Sequence, residues 1–205
     1  MFTDKTYIQA QYEKADQLSS TYLGSDLNTS ASVTAQNTLG FEGMEAALYL
    51  ALSQHLTLYG GYGTRKWDRF LNGNPGYSEI YSWTYQPIGA QLWLFRGNRV
   101  DLGIDVSKRQ TSRGKIKVIT SKTVTGGADS EMNLGSKIGY RVASPLVWRV
   151  GSWTISTTPF LEEIKFGQSE VVPNTTLAPT PGTGIKEPDS ITKQFGLEAL
   201  ITMPL

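Results

Sequence analysis

The sequence contains no cysteine, a single histidine and almost no net charge. Lys and Arg number 19 while Asp and Glu number 18, which leaves a formal net charge of +1. The lack of cysteine excludes a disulfide scaffold and cysteine-based metal sites, and one histidine leaves transition metals almost no ligands. Because basic residues neither dominate nor cluster, there is no electrostatic case for nucleic-acid binding. We therefore predict no cofactor, no metal site and no nucleic-acid partner.

Helical periodicity is also nearly absent, and the one long uncharged window is a poor membrane helix. Ala46–Thr64 runs for 19 residues without a charge, close to the length that crosses a bilayer. The polar Ser53–His55 interrupts it, and each half alternates between apolar and other residues, so the pattern favours a hairpin. The first residues, MFTDKTYIQ, lack the apolar core of a signal peptide, and we expect the mature form of an exported chain.

Strict alternation is what the sequence does have, most clearly over Ile80–Ser107. It predicts two antiparallel strands joined by a tight turn at Gly97, because successive strand residues point to opposite faces. Aromatic residues gather at both ends of the first strand, roughly 25–35 Å apart at ~3.3 Å per residue. Trp and Tyr collect at the two interfaces of a bilayer. We predict an aromatic girdle formed by Tyr81, Trp83, Tyr85, Trp93, Phe95 and Trp153.

The same rhythm runs through the whole chain and predicts an all-β fold. Eight strands are expected, each near or above the ~9–11 residues that a tilted membrane strand requires. They form an eight-stranded antiparallel up-and-down transmembrane β-barrel, a single domain over residues 1–205. Leu50, Ile104, Ile138 and Leu197 are predicted to face hydrocarbon. The predicted strands are Thr6–Lys14, Phe41–Leu52, Leu56–Trp67, Ile80–Phe95, Val100–Lys108, Met132–Val142, Trp153–Phe166 and Gln194–Leu205.

The predicted connections alternate in length. Short ones lie around Gln54, Gly97 and Ser144–Gly151. Short turns at one end and long loops at the other are typical of bacterial outer-membrane barrels, which puts the turns and both termini in the periplasm. The long, polar connections are expected to be extracellular and to offer any ligand-binding surface: Ala15–Gly40, Asp68–Glu79, Arg109–Glu131 and Gln168–Lys193.

On strand number, loop asymmetry and aromatic clusters, the chain resembles the small eight-stranded outer-membrane barrels, the class of the OmpA transmembrane domain and OmpX. The resemblance implies a bacterial outer-membrane location, with the lipid bilayer and lipopolysaccharide as surroundings and a monomer favoured. The last strand alternates as that class requires, but the chain ends Met203-Pro204-Leu205 without the terminal aromatic residue that its assembly machinery recognises. Either the end is trimmed or the recognition signal is looser.

If the apolar face meets lipid, the opposite face becomes the barrel interior, and eight strands leave room only for side chains there. Its charged residues would then form a network, because unpaired buried charges are costly. One register would pair Asp101 with Arg141 and Asp105 with Lys137. A structural ion-pair plug is favoured over a thin polar pathway. The predicted interior network is Glu45, Arg65, Asp101, Asp105, Lys137, Arg141 and Glu198.

Three motifs could suggest chemistry, and each has a simpler interpretation. Ser53 and His55 lie in a predicted turn, with no carboxylate nearby in sequence to complete a triad. Glu162 and Glu163 are adjacent on a strand and point to opposite faces, so we place them on an overhanging end. Gly60–Gly63 lacks the following helix of a phosphate loop. We therefore predict that the protein is not an enzyme.

Three functional classes remain open at this point. The first is a non-enzymatic surface barrel with structural, binding or adhesion roles. The second is a narrow, porin-like channel for small solutes. The third is a soluble ligand-binding barrel of lipocalin type, which would need an apolar interior and a charged exterior.

Overall fold

The computed structural model describes residues 6–25, 32–71, 77–177 and 184–202, with the side chains of residues 6–15, 40–71, 77–177 and 184–201. These residues form one antiparallel sheet and contain no helix. Accordingly, no helix in them is long and apolar enough to cross a membrane. The strands are β1 (Thr6–Ser25), β2 (Ser32–Ala51), β3 (Leu56–Leu71), β4 (Tyr77–Arg96), β5 (Val100–Ile119), β6 (Ser130–Ser136), β7 (Ile138–Ala143), β8 (Leu146–Val150), β9 (Trp153–Gly167) and β10 (Ser190–Thr202).

The ten segments occupy eight positions in the sheet. The order follows the chain from β1 to β5 and ends with β9 and β10, while β6, β7 and β8 succeed one another between β5 and β9. The eight predicted strands therefore correspond to eight positions, and the predicted hairpins at Gln54 and Gly97 are confirmed. Ala46–Thr64, for which the sequence pattern favours a hairpin over a membrane helix, lies in the β2–β3 hairpin.

The strands are much longer than predicted, and three of the four predicted long loops are wholly or partly strand, whereas the described residues of 168–189 form a connection as predicted. Most of Ala15–Gly40 and Asp68–Glu79 is strand, and β5 continues to Ile119. Alternation persists there with polar residues on the outer face: Ile116 and Val118 are buried between exposed lysines. Here every second residue is polar and the apolar residues between them are few. A strand with this pattern is easily taken for a polar loop.

The predicted strand Met132–Val142 is broken in two, into β6 and β7, and a further strand, β8, follows it. Around Lys137 the ladder with β5 is replaced by a local exchange, in which the Thr111 amide donates to the Lys137 carbonyl at 2.9 Å and the Lys137 amide donates to Thr111 Oγ1 at 3.0 Å. A second break falls at Ser144–Pro145, where proline has no N–H to donate. Residues 146–150, predicted as part of a turn, are strand β8, and the turn narrows to Gly151 and Ser152.

The sheet is strongly curled, with one face turned toward itself. Arg65 on β3 contacts Glu162 on β9, although three strand positions separate them. We call this the concave face. No ladder between β1 and β10 is found among the described residues, so the sheet has two edges there.

Four of the predicted girdle residues, Tyr81, Trp83, Tyr85 and Trp93, lie on the concave face, which corrects that prediction. Tyr81, Trp83 and Tyr85 are 3%, 3% and 1% exposed. Only Phe95 and Trp153 of the set are well exposed, and Trp93 is intermediate. Alternation along β4 explains the error. Ile88 points outward, so the odd-numbered residues of that stretch point inward. Tyr81 and Trp83 instead join an aromatic core with Trp67, Phe166, Ile116, Val118, Met132, Leu134, Ile164 and Ile185.

Glycines on the concave face make room for tyrosine rings from neighbouring strands. Gly89 lies opposite Tyr59, and a Cβ there would fall 2.4 Å from Tyr59 Cζ. Gly63 lies opposite Tyr85, where a Cβ would fall 2.3 Å from Tyr85 Cζ. Each ring covers a glycine, so the missing side chain is what allows the tyrosine its position.

The glycine–tyrosine contact predicts a selective effect of alanine. Gly89→Ala should lower the free energy of unfolding by about 1–3 kcal/mol, because the new methyl group overlaps the Tyr59 ring. Gly60→Ala is the matched control, since a Cβ there meets only the Pro87 carbonyl oxygen at 3.9 Å. Denaturant unfolding measures both variants, and equal stabilities would contradict the packing described.

Candidate functional site

The centre of the concave face is a buried ion-pair network built on Glu162. Its Oε1 accepts from Arg65 Nη1 at 2.7 Å and from Arg109 Nη1 at 3.0 Å, and its Oε2 accepts from Gln194 Nε2 at 2.8 Å. Arg109 also pairs with Glu45 at 3.1 Å, and Arg65 pairs with Glu13 on β1 at 2.9 Å. Five sheet positions thus meet at two guanidinium groups and three carboxylates, which we call the charge network.

Tyr85 lies between the two arginines of this network. Its ring centroid is 4.9 Å from the guanidinium carbon of Arg65 and 5.0 Å from that of Arg109, and its hydroxyl donates to Glu45 Oε2 at 2.8 Å. A ring between two like charges offsets part of their repulsion, because each guanidinium is attracted to a π face. Gly63 makes this possible, since any larger residue would occupy the space of the ring.

A polar cavity of about 240 Å³ lies next to the network, toward the short turns. Residues from both edge strands and from the strands between them line it. On one side the rings of Tyr7, Tyr49 and Tyr59 are stacked, with successive centroids 4.8 Å apart. The Tyr59 hydroxyl donates to Asp105 at 2.7 Å, and Arg141 pairs with Glu198 across the cavity at 2.6 Å.

The paired register predicted for the charges is wrong. Asp105 lies opposite Ala143, six residues beyond Lys137, and Ser107 lies opposite Arg141. Asp101 instead bonds to Arg149, with Nη1 to Oδ1 at 3.2 Å, near the β4–β5 turn. Lys137 does not reach the concave face: its side chain is 45% exposed and pairs with Asp189. The hydrophobic match that suggested the register is satisfied equally well by a slip of an even number of residues, because the faces stay the same.

Of the other predicted interior residues, Glu45, Arg65 and Arg141 are buried, while Glu198 is half-exposed. Arg109 and Glu162, the two residues most central to the network, are not among those predicted. Arg109 fell in a predicted loop, although Asp101, Asp105 and Arg109 share one parity along β5. Glu162 and Glu163 do point to opposite faces, but Glu162 is 3% exposed and not on a solvated rim.

The motifs that could have suggested catalysis have local roles. Ser53 Oγ accepts from the amides of His55 and Leu56, both at 3.1 Å, which shapes the β2–β3 turn. The His55 ring is bonded to the Trp93 carbonyl through Nδ1 at 2.9 Å. Gly60–Gly63 lies inside β3. The described residues contain no cluster of three or more His, Asp or Glu that could hold a metal ion.

At the end opposite the turns, a segment of the β9–β10 connection lies across the aromatic core. We call its described residues, 168–177 and 184–189, the strap. Val172 and Ile185 pair through two backbone hydrogen bonds of 2.9 Å, and Ile185 is buried in the core. Asn174 is 1% exposed and donates to the Ala128 carbonyl at 2.9 Å. The strap is therefore packed and bonded against the end of the sheet.

Glu187 connects the strap to β4. Its carboxylate accepts from the Tyr81 hydroxyl at 3.0 Å, and its backbone exchanges two hydrogen bonds of 2.9 Å with Ser169. Arg69 donates to Glu79 at 2.7 Å and to Tyr81 at 2.7 Å in the same cluster. Burial, and then the nearby charge of Glu79, raises the pKa of Glu187 to about 7, although Arg69 acts in the opposite direction.

Taken from the turns to the strap, the concave face carries three layers of side chains. The polar cavity comes first, the charge network second and the aromatic core third. Each charged group of the charge network has a partner of opposite sign, which offsets the cost of removing it from water, and the buried Asp105 beside the cavity accepts a hydrogen bond from Tyr59. Chemically, this arrangement can hold strands together and obstruct passage along the curled sheet.

Removing the shared carboxylate should be strongly destabilising. Glu162→Gln leaves two buried guanidinium groups with one anion fewer, and we expect a loss of about 3–5 kcal/mol in the free energy of unfolding. Glu163→Gln is the matched control, because this neighbouring side chain points outward and its pair with Lys165 is partly exposed. That change should cost at most about 1 kcal/mol. Similar losses for both variants would contradict a central role of Glu162.

The strap should be held most firmly at acidic pH. Packing favours the protonated Glu187, so its contribution is full below about pH 4.5, falls as the pH rises, and is lost above about pH 7. Hydrogen exchange of residues 184–189, corrected for intrinsic rates, should therefore quicken across this range. Glu187→Gln should remove the pH dependence, and an unchanged profile in that variant would refute this assignment.

Comparison with known proteins adds no family to this description. The sequence matches no model of a known protein family, and no curated protein matches it significantly. Function is therefore inferred from the geometry of the described residues.

Proposed function

We propose that the chain is a non-enzymatic β-barrel of the bacterial outer membrane, whose interior is filled by the charge network and whose extended strand ends are displayed at the cell surface. One observation carries this proposal: charges are buried on the concave face while large apolar side chains are exposed on the other. Water-soluble proteins bury their apolar face and rarely expose a large contiguous apolar patch. A hydrocarbon solvent reverses that arrangement.

The exposed apolar residues lie on neighbouring strands at similar depth. Ile88 is 65% exposed, Leu197 67% and Phe195 86%. Of the residues predicted to face hydrocarbon, Leu50, Ile104 and Leu197 point outward, and Ile138 is intermediate at the start of β7. The same band includes Ile8, Leu48, Leu58, Leu92, Leu94, Val106, Tyr140, Val142, Leu161 and Ile201.

Closure between β1 and β10 is part of the proposal, because unpaired strand edges are excluded from hydrocarbon. Glu13 of β1 contacts Arg65, and Gln194 of β10 contacts Glu162, so both edge strands reach the same network. A register that sets Glu13 opposite Gln194 also sets Tyr12 opposite Phe195 on the outer face. Two cysteines introduced together by Glu13→Cys and Gln194→Cys should therefore form a disulfide in the folded protein.

Refolding experiments test the proposal most simply. The protein should fold only with detergent or lipid, and the folded form should migrate differently from the boiled form on a gel. Folding in plain buffer would instead support a soluble barrel of lipocalin type. That class needs an apolar interior, and the ion pairs on the concave face argue against it.

A narrow channel is the second candidate, and the polar cavity is the observation in its favour. Beyond the cavity, the charge network and the aromatic core stand in the way. We therefore expect no steady single-channel conductance in planar bilayers. Reproducible conductance in the parent protein would favour the channel.

Arginine substitutions on the outer face separate a lipid-facing from a water-facing surface. Ile104→Arg should cost on the order of 2–4 kcal/mol of folding free energy in a bilayer, because the charge would lie near its midplane. Asn98→Arg, in the exposed β4–β5 turn, is the control and should fold like the parent. Folding of both variants with equal yield in lipid vesicles would contradict the proposal.

A further inference from the structure

A bulge in β5 directs one arginine to the outer face in a strained conformation. The register between β4 and β5 shifts between Ser82 and Thr84, which leaves Arg113 as an extra residue in the bulge. Its φ is 49°, and it is the non-glycine residue with positive φ in the described chain. Bulges redirect side chains, and strain of this kind tends to occur at functional positions.

The Arg113 side chain is exposed, and no hydrogen bond or ion pair to its guanidinium is found among the described residues. It borders a groove of about 330 Å³ on the outer faces of β2, β3 and β4. Lys66 provides a second cation in the groove, and Thr64 and Ser82 provide hydroxyl groups, whereas the Thr84 hydroxyl donates to the Ser112 carbonyl at 3.1 Å. Two cations beside two hydroxyl donors form the kind of surface that holds a phosphate group.

The acidic residues near the groove do not cancel this character. Glu42 also lines it, and its carboxylate accepts from the Tyr12 hydroxyl at 3.2 Å. Lys66 pairs with Asp68 at 3.0 Å, but both side chains are about half exposed, so this pair is weak and can exchange for another anion. In the part of the chain that the structure describes, no carboxylate forms an ion pair with Arg113.

The apolar band begins at the edge of the groove that is nearer the β2–β3 turn. Met44 lines the groove and is 60% exposed, and Tyr62 and Leu58 follow on the outer face of β3. A molecule with a phosphate in the groove would therefore lay any attached hydrocarbon along an apolar surface. Free phosphate would gain nothing from that surface.

We propose that this groove binds the phosphorylated headgroup of a membrane lipid, with Arg113 and Lys66 contacting the phosphate and the acyl chains lying over Met44 and Tyr62. The site rests on the proposed membrane location, because only a lipid-facing sheet presents the groove to a leaflet. The strained Arg113 backbone serves to turn the guanidinium toward the phosphate.

Native mass spectrometry of the detergent-folded protein tests the site, with dioleoyl phosphatidic acid and dioleoylglycerol as probes of identical acyl chains. The parent should bind the phosphorylated lipid at least about tenfold more tightly, as expected for charge-assisted contacts. Inorganic phosphate should not compete at equal concentration. Equal affinity for the two lipids, or competition by free phosphate at that concentration, would overturn the proposal.

Variants separate this groove from general attraction to charge. Arg113→Asn removes the cation and tolerates positive φ, so the fold should be kept while phosphatidate affinity falls about tenfold. Lys66→Gln should have a similar effect, and Arg113→Lys should retain most of the affinity. Lys108→Gln, exposed on the same strand, is the control. An equal loss in Lys108→Gln would overturn the proposal.

Gel migration of the heated and unheated protein is recorded for every sample. If the parent protein folds in detergent but binds the two lipids with equal affinity, only the lipid-binding role of the groove is refuted. A parent that folds without detergent refutes the membrane location, and the groove proposal with it.

Discussion

A charged group removed from water needs a partner of opposite sign, and on the concave face a single carboxylate supplies it for two arginines. Glu162 joins Arg65 and Arg109, and through them Glu13 and Glu45. These contacts connect strands that are not neighbours, which backbone ladders cannot do. The curl of the sheet and the position of its two edges therefore depend on this network more than on any one hairpin.

Contacts between glycine and tyrosine fill the space around the charged groups. The ring of Tyr85 separates two guanidinium groups only because Gly63 leaves its space empty. Tyr59 and Gly89 repeat this arrangement one layer nearer the turns, where the tyrosine hydroxyl bonds to Asp105. Glycines opposite tyrosines thus allow tyrosine rings to fill the narrow space on the concave face, while the tyrosine hydroxyls form hydrogen bonds there.

The sequence predicted the sheet better than it predicted the site. Alternation located the hairpin turns and assigned residues such as Arg65 and Leu197 to opposite faces. It did not reveal the register, because a slip of six residues preserves every face, so the partners of Asp101 and Asp105 were wrong. It also missed Arg109, since the polar outer face of the upper β5 resembles a loop. Tyr81 and Trp83 were assigned to the girdle because they are aromatic. The alternation along β4 points their side chains to the concave face.

The central claim is that the two faces of the sheet meet different solvents, lipid outside and protein inside. Because the chain has no cysteine, single cysteines along β10 can carry spin labels without other changes. In lipid vesicles, labels at Phe195 and Leu197 should collide with dissolved oxygen and be shielded from a water-soluble nickel complex, while a label at the inward-facing Gln194 should be shielded from both. An alternating profile of this kind is the predicted result. Access of the nickel complex to the outward positions would contradict the account.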